Sequence, residues 1–136
     1  MAGYSNTPLP KKLGIKEGHK VALVNPPNAF EKTLGNLPDN AAIQIGLAAK
    51  TRFDVIVVFV TSRAELRRQL AATRRHMMPA AGLWIAWPKK TSGVATAVDG
   101  NAIREIALPT GLVDNKICAI DATWSGLRLV IRLALR

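Results

Sequence analysis

Nine residues have the types from which a binding site could be assembled: Ser62, Arg63, Trp87, Lys89, Lys90, Thr91, Ser92, Asp121 and Trp124. The run Trp87-Pro88-Lys89-Lys90 is the sharpest piece. Paired lysines bind phosphate as point charges, and an indole stacks on a base or ring. Ser62-Arg63 opens a helical pattern, where free backbone N–H groups and the helix dipole favour an anion. Each residue also has a plainer use: Ser62 as a cap, Trp87 in the core, the lysines in solvent, Asp121 as a turn brace and Trp124 as an anchor. A catalytic set is not expected. His19 and His76 lie far apart without neighbouring acids, Cys118 falls inside an apolar run, and no serine has a GxSxG elbow. These spacings point away from metal binding and from Cys or Ser nucleophiles.

The elements that would hold these residues centre on residues 53–90, FDVIVVFVTSRAELRRQLAATRRHMMPAAGLWIAWPKK. Residues 53–60 form an unbroken apolar, β-branched run, the mark of a strand covered on both faces. Ser62 with Glu65 three positions on is a capping box, so a helix starts there. Leu66, Leu70, Thr73 and Met77 fall on one helical stripe, with Pro79 and Gly82 as its stop. Residues 82–87 return as a second strand, parallel to the first and next to it. Further strands are expected near 20–25, 116–121 and 127–134, the last antiparallel, with a weak one at 41–47. Asp99 or Asn101 caps a helix through Ile103 and Ile106. The expected core includes Val57, Phe59, Leu66, Leu70, Ile85 and Ile117. The fold class is therefore α/β: Rossmann-like, doubly wound and mostly parallel, with a C-terminal antiparallel strand. Residues 1–18 read as an N-terminal arm with a short helical turn capped by Thr7, and residues 19–136 as a single domain.

In such a sheet ligands lie beyond the carboxyl ends of the strands. Chain direction puts Asn25 and Thr61 on that rim together with the nine residues above. A phosphate loop would follow the first strand, yet residues 25–29 are NPPNA. Two prolines there donate no N–H, so a glycine loop of the dinucleotide or methyl-donor type is absent. An acidic residue for a ribose is also missing near the end of the 41–47 segment.

The 136 residues carry nineteen Lys and Arg against nine Asp and Glu, a net charge of +10. Residues 61–90 hold seven of those bases and one acid, so the excess is expected on the connecting helix and the loop after the second strand. That asymmetry suggests a face for anions. Apolar residues make up 49% of the chain, which excludes global disorder. No apolar run reaches the ~20 residues of a membrane span, the N-terminus lacks an apolar leader, and one cysteine agrees with a reducing compartment. A cytoplasmic protein without membrane contact is the expectation.

From residue 53 onward, the order strand, helix, PAAG, strand, helix and final strand pair resembles the second half of class I methyltransferase domains. The missing glycine loop makes this a degenerate version. The phrases KKLGIKEGHKVAL, FVTSRAEL, LWIAWPKKTSGVAT, LPTGLVDNKICAID and TWSGLRLVIR together resemble a bacterial family known as domain of unknown function 3052. That resemblance implies a small bacterial α/β domain and supplies no catalytic residue and no cofactor. The sequence thus reads as a non-enzymatic module that binds an anionic small molecule or an acidic protein at the rim. A diverged transferase using Lys89-Lys90-Thr91-Ser92 and Asp121 is the alternative. Non-specific nucleic-acid binding through the basic face is a further one.

Overall fold

The computed structural model describes residues 7–47 and 50–136. Its elements run α1 (Leu9–Lys12), β1 (Lys20–Val24), α2 (Phe30–Leu34), β2 (Ala42–Ile45) and β3 (Phe53–Phe59), then α3 (Arg63–Thr73) and β4 (Met77–Pro88). They continue with α4 (Gly100–Ala107), β5 (Leu112–Ala119) and β6 (Trp124–Ile131). One six-stranded sheet has the order β2-β1-β3-β4-β6-β5. Strands β1 to β4 pair in parallel, while β6 is antiparallel to both β4 and β5. The architecture is a Rossmann-like α/β sheet.

Strand alternation explains why β3 is apolar throughout. Val55, Val57 and Phe59 face one core, and Ile56, Val58 and Val60 face the other. Helices α3 and α4 cover the second of these through Leu66, Leu70, Ile103 and Ala107. The opposite core is closed by Leu13 and Ile15, which follow α1, and by Phe30 and Leu34 of α2. Trp84, fully buried, donates its indole N–H to the Leu13 carbonyl at 3.0 Å. Segment 9–15 is thereby locked onto the sheet. Pro8 rather than Thr7 occupies the cap position of α1, without a side-chain cap bond. The part of the expected arm at 1–6 lies outside the described residues.

Helix α3 starts at the expected cap, with the glutamate half of the box shifted by one residue. Ser62 Oγ accepts from Glu65 N–H at 3.1 Å, and Glu65 Oε1 reaches back to Thr61 N–H at 2.8 Å. Asp99 caps α4 in the same manner, through Ala102 N–H at 2.8 Å. The end of α3 differs from expectation. The helix stops at Thr73, a 3-10 turn covers Arg74–His76, and Met77 already belongs to β4. Pro79 and Gly82 are strand residues and do not terminate the helix. Pairing explains how a proline fits there: Phe53 opposes Met77 and Val55 opposes Gly82, so the intervening β4 residues bulge out of the ladder. In a bulge the missing proline N–H costs no ladder bond.

Four of the expected core residues on β3 and α3, and Ile85 on β4, are buried. Ile117 is not: it is 58% exposed. It sits on β5, one of the two edge strands, whose residues 115–117 all face solvent. The last strand ends at Ile131, and Leu133–Leu135 form a 3-10 turn instead of its continuation.

Candidate functional site

The strand order fixes where a ligand crevice can open. After β1 the chain turns to α2 on one face and β2 on one side. After β3 it turns to α3 on the opposite face and β4 on the other side. The carboxyl ends of β1 and β3 are therefore the topological switch point, where paired helices diverge and leave a crevice. Asn25, just after β1, has a φ of 55°, and Ala29, the cap residue before α2, has a φ of 60°. Asn tolerates the left-handed region, whereas Ala pays roughly 1–2 kcal/mol there. Opposite them stand Thr61, Ser62 and Arg63.

Most of the rim residues are engaged locally. Ser62 is the helix cap described above. Arg63 lies near Glu105, Nη1 to Oε2 at 3.9 Å, and its Nε donates to the Ala97 carbonyl at 3.4 Å. Thr96 Oγ1 donates to the Thr61 carbonyl at 2.7 Å, tying the loop after β4 to the crevice. Lys89 N–H donates to the Thr123 carbonyl at 2.8 Å. Its carbonyl accepts the Ser92 hydroxyl at 2.6 Å, shaping the turn at Lys90–Ser92, in which Lys90 and Thr91 are exposed. Asp121 Oδ1 accepts from the N–H groups of Thr123 and Trp124, each at 2.8 Å. That carboxylate braces the β5–β6 turn.

The two indoles do not converge. Trp87 pairs with Ser125 and Trp124 with Pro88, so strand alternation sends them to opposite faces of the sheet. Trp87, 8% exposed, joins the core under α3 and α4. Trp124 packs edge-on against Phe59, ring centres 5.0 Å apart, and Phe59 packs in turn against Phe30 at 4.8 Å. The remaining candidates are placed as their chemistry demands. His76 is buried with Nδ1 2.8 Å from the Thr51 carbonyl, so Nδ1 carries the proton. Burial pushes the Cys118 thiol up, away from thiolate chemistry. No group of three metal-ligating side chains occurs among the described residues.

Arg63, Arg67 and Arg68 on α3 and Lys89 and Lys90 after β4 stand where the residue order suggests, but further bases gather elsewhere. Two cavities, about 650 and 270 Å³, open at the amino edge of the sheet, opposite the rim. The first is bordered by Lys11, Lys12, Lys16, Lys116 and Arg128, the second by Arg52, Arg74, Arg75 and Arg136. The sequence does hold a signal for them: bases sit just before β1, β3 and β4 and just after β6. Grouping charges by stretch of chain, and not by strand end, hides it.

No family model and no curated protein matches the chain. Among solved structures it is similar to a SAM-dependent methyltransferase from Aquifex aeolicus, with TM-score 0.63 and 14% identity over 89% of this chain and 87% of that one. It is similar to TrmN from Thermus thermophilus, with TM-score 0.62 and 9% identity over 90% of this chain, which spans 47% of that one. A TehB-like SAM-dependent methyltransferase from Corynebacterium glutamicum aligns at TM-score 0.56 and 13% identity, over 96% and 91% of the two chains. At such identities the likeness shows the fold alone, a methyltransferase-like Rossmann fold. No helix among the described residues is long and apolar enough to cross a membrane.

Proposed function

We propose that this chain is a diverged methyltransferase-like domain whose small-molecule ligand occupies the crevice between the carboxyl ends of β1 and β3. The observation that carries the reading is the divergence of α2 and α3 to opposite faces at that point. The solved neighbours favour the transferase branch, since those named above as SAM-dependent are enzymes of that type.

The residues at β1 do not fit S-adenosylmethionine in the usual way. Pro26 and Pro27 have no N–H to offer, and the Phe30 N–H is already donated to the Pro27 carbonyl at 3.1 Å. Ile45, Gly46 and Leu47, at the end of β2, supply no carboxylate for a ribose. A methyl donor would therefore have to be held by contacts other than a glycine loop and a ribose carboxylate. The same loop favours a second reading, a non-enzymatic module that takes an anionic small molecule or acidic partner at the rim.

Calorimetric titration and thermal shift with S-adenosylmethionine, its demethylated product and inorganic phosphate separate the two. A ligand at 100 times its dissociation constant adds about 2.7 kcal/mol of stability. Stabilisation by the adenosyl compounds, weakened by a Thr61→Val or Ser62→Ala change, supports the transferase branch. A response to phosphate alone that Lys89→Ala/Lys90→Ala abolishes supports the module. If no such compound stabilises the protein, the crevice is not the site.

A further inference from the structure

We propose that the amino edge of the sheet is a docking surface for a nucleic-acid backbone, independent of the crevice on the opposite edge.

The surface is built by convergence. Lys11, Lys12 and Lys16 come from the segment that Trp84 locks onto the sheet, and Lys116 comes from β5. Across the edge, Arg52 precedes β3, Arg74 and Arg75 follow α3, and Arg136 follows β6. Pro79, in the β4 bulge, borders both cavities, so the two grooves lie side by side at the amino edge. Asp54 is the one carboxylate among the lining residues, and its Oδ2 already accepts the Lys20 N–H at 2.8 Å. Nine bases therefore face one occupied acid.

Arg128 is the residue that asks for an anion. It projects from β6 over Gly82, where a Cβ would come within 2.5 Å of its Nε. Only glycine leaves room for the guanidinium to lie against the strand. Half-buried, it enters none of the ion pairs or side-chain hydrogen bonds found among the described residues. Burial, with the nearby Arg136 charge, pulls its pKa below the usual guanidinium value. A partly desolvated cation without a partner costs free energy that an incoming anion returns.

The chemistry of the lining selects phosphodiester over protein. Five of the nine bases are guanidiniums, which match phosphate oxygens bidentately. A protein-binding surface concentrates aromatic and apolar groups at its centre and places charge on the rim. Here nine bases line the grooves, and no aromatic ring lines either groove apart from His19. With no Phe, Tyr or Trp among the lining residues to stack bases, recognition is carried by the phosphate backbone and is largely indifferent to sequence.

The test is fluorescence anisotropy with a labelled RNA duplex, a DNA duplex of the same sequence and the single RNA strand, each across a salt series. Affinity should fall linearly on a logarithmic salt scale, and the arms tell which nucleic acid is preferred. Arg74→Gln/Arg75→Gln and Lys11→Gln/Lys16→Gln should each lower the duplex slope by about 1.8, the loss of two phosphate contacts. Arg67→Gln/Arg68→Gln, with the same charge change on the outer face of α3, should leave the slope unchanged. Equal weakening by all three pairs would overturn the proposal, because binding would then follow net charge alone. Competition by polyglutamate as effective as competition by unlabelled duplex would also overturn it, since carboxylate would then serve as well as phosphate. Circular-dichroism melts of the surface pairs should match the parent, and Arg128→Gln provides an independent probe of the groove floor.

Discussion

Replacing Trp84 by Phe tests how the first helical segment is held. Trp84 is fully buried, and its indole N–H makes the 3.0 Å bond to the Leu13 carbonyl, just beyond the end of α1. The substitution keeps an aromatic ring but removes the donor, leaving the Leu13 carbonyl buried without a partner. An orphaned buried acceptor costs about 1–3 kcal/mol. The smaller ring also leaves a void of roughly 40 Å³, which at about 24 cal/mol per Å³ adds roughly 1 kcal/mol. Loss of about 2–4 kcal/mol in urea unfolding is expected from these two effects together, with faster amide exchange at Leu13 and Ile15. A loss below about 1 kcal/mol, or exchange confined to β4, would show that the indole bond does not fasten the segment. Because that segment carries Lys11, Lys12 and Lys16, the variant should also weaken polyanion binding at temperatures well below its melting point.

Other outcomes follow from single contacts. Leu70→Ala, at a position 2% exposed, should cost about 2–5 kcal/mol in chemical denaturation. Gly126→Ala should destabilise measurably, because the added carbon would sit 2.9 Å from Ile120 and 3.0 Å from the Trp84 ring. The Arg104 guanidinium, 2.9 Å from Asp114, holds that carboxyl below the usual carboxylate range. Its stabilisation is thus complete above the unfolded carboxylate pKa and fades as pH falls through the lower folded value, so Asp114→Asn should flatten the acid limb of stability against pH. Cys118 should react with iodoacetamide much more slowly in the folded protein than after unfolding, since burial raises its thiol pKa.

What the residues disclose on their own is local. The β-branched run of β3 and the Ser62 cap on the Glu65 N–H need only neighbours a few positions away, and both form as read. The end of α3 is not legible in the same way, because Pro79 and Gly82 are helix stops in isolation. Their place in β4 depends on pairing with Phe53 and Val55, which lie far back in the chain. Ile117 reads as core because its residue type is apolar, whereas its exposure follows from β5 lying outermost. The opposite facing of Trp87 and Trp124 is implicit in strand parity once β6 is registered against β4. The two amino-edge grooves gather bases from separate segments spread over the whole chain, and no window along the sequence contains them.

The outer strands carry a consequence for how the protein behaves when concentrated. At one border β2 is only four residues long, and Gly46 follows its end. At the other, β5 breaks register between Asp114 and Lys116, beside its exposed residues 115–117. A short strand and a kinked, charged one offer no straight row of free N–H and C=O groups to a neighbouring copy. The mixed sheet is thereby closed to growth at both ends, and fibril-like stacking through its borders should stay slow even though Ile45 and Ile117 are bare.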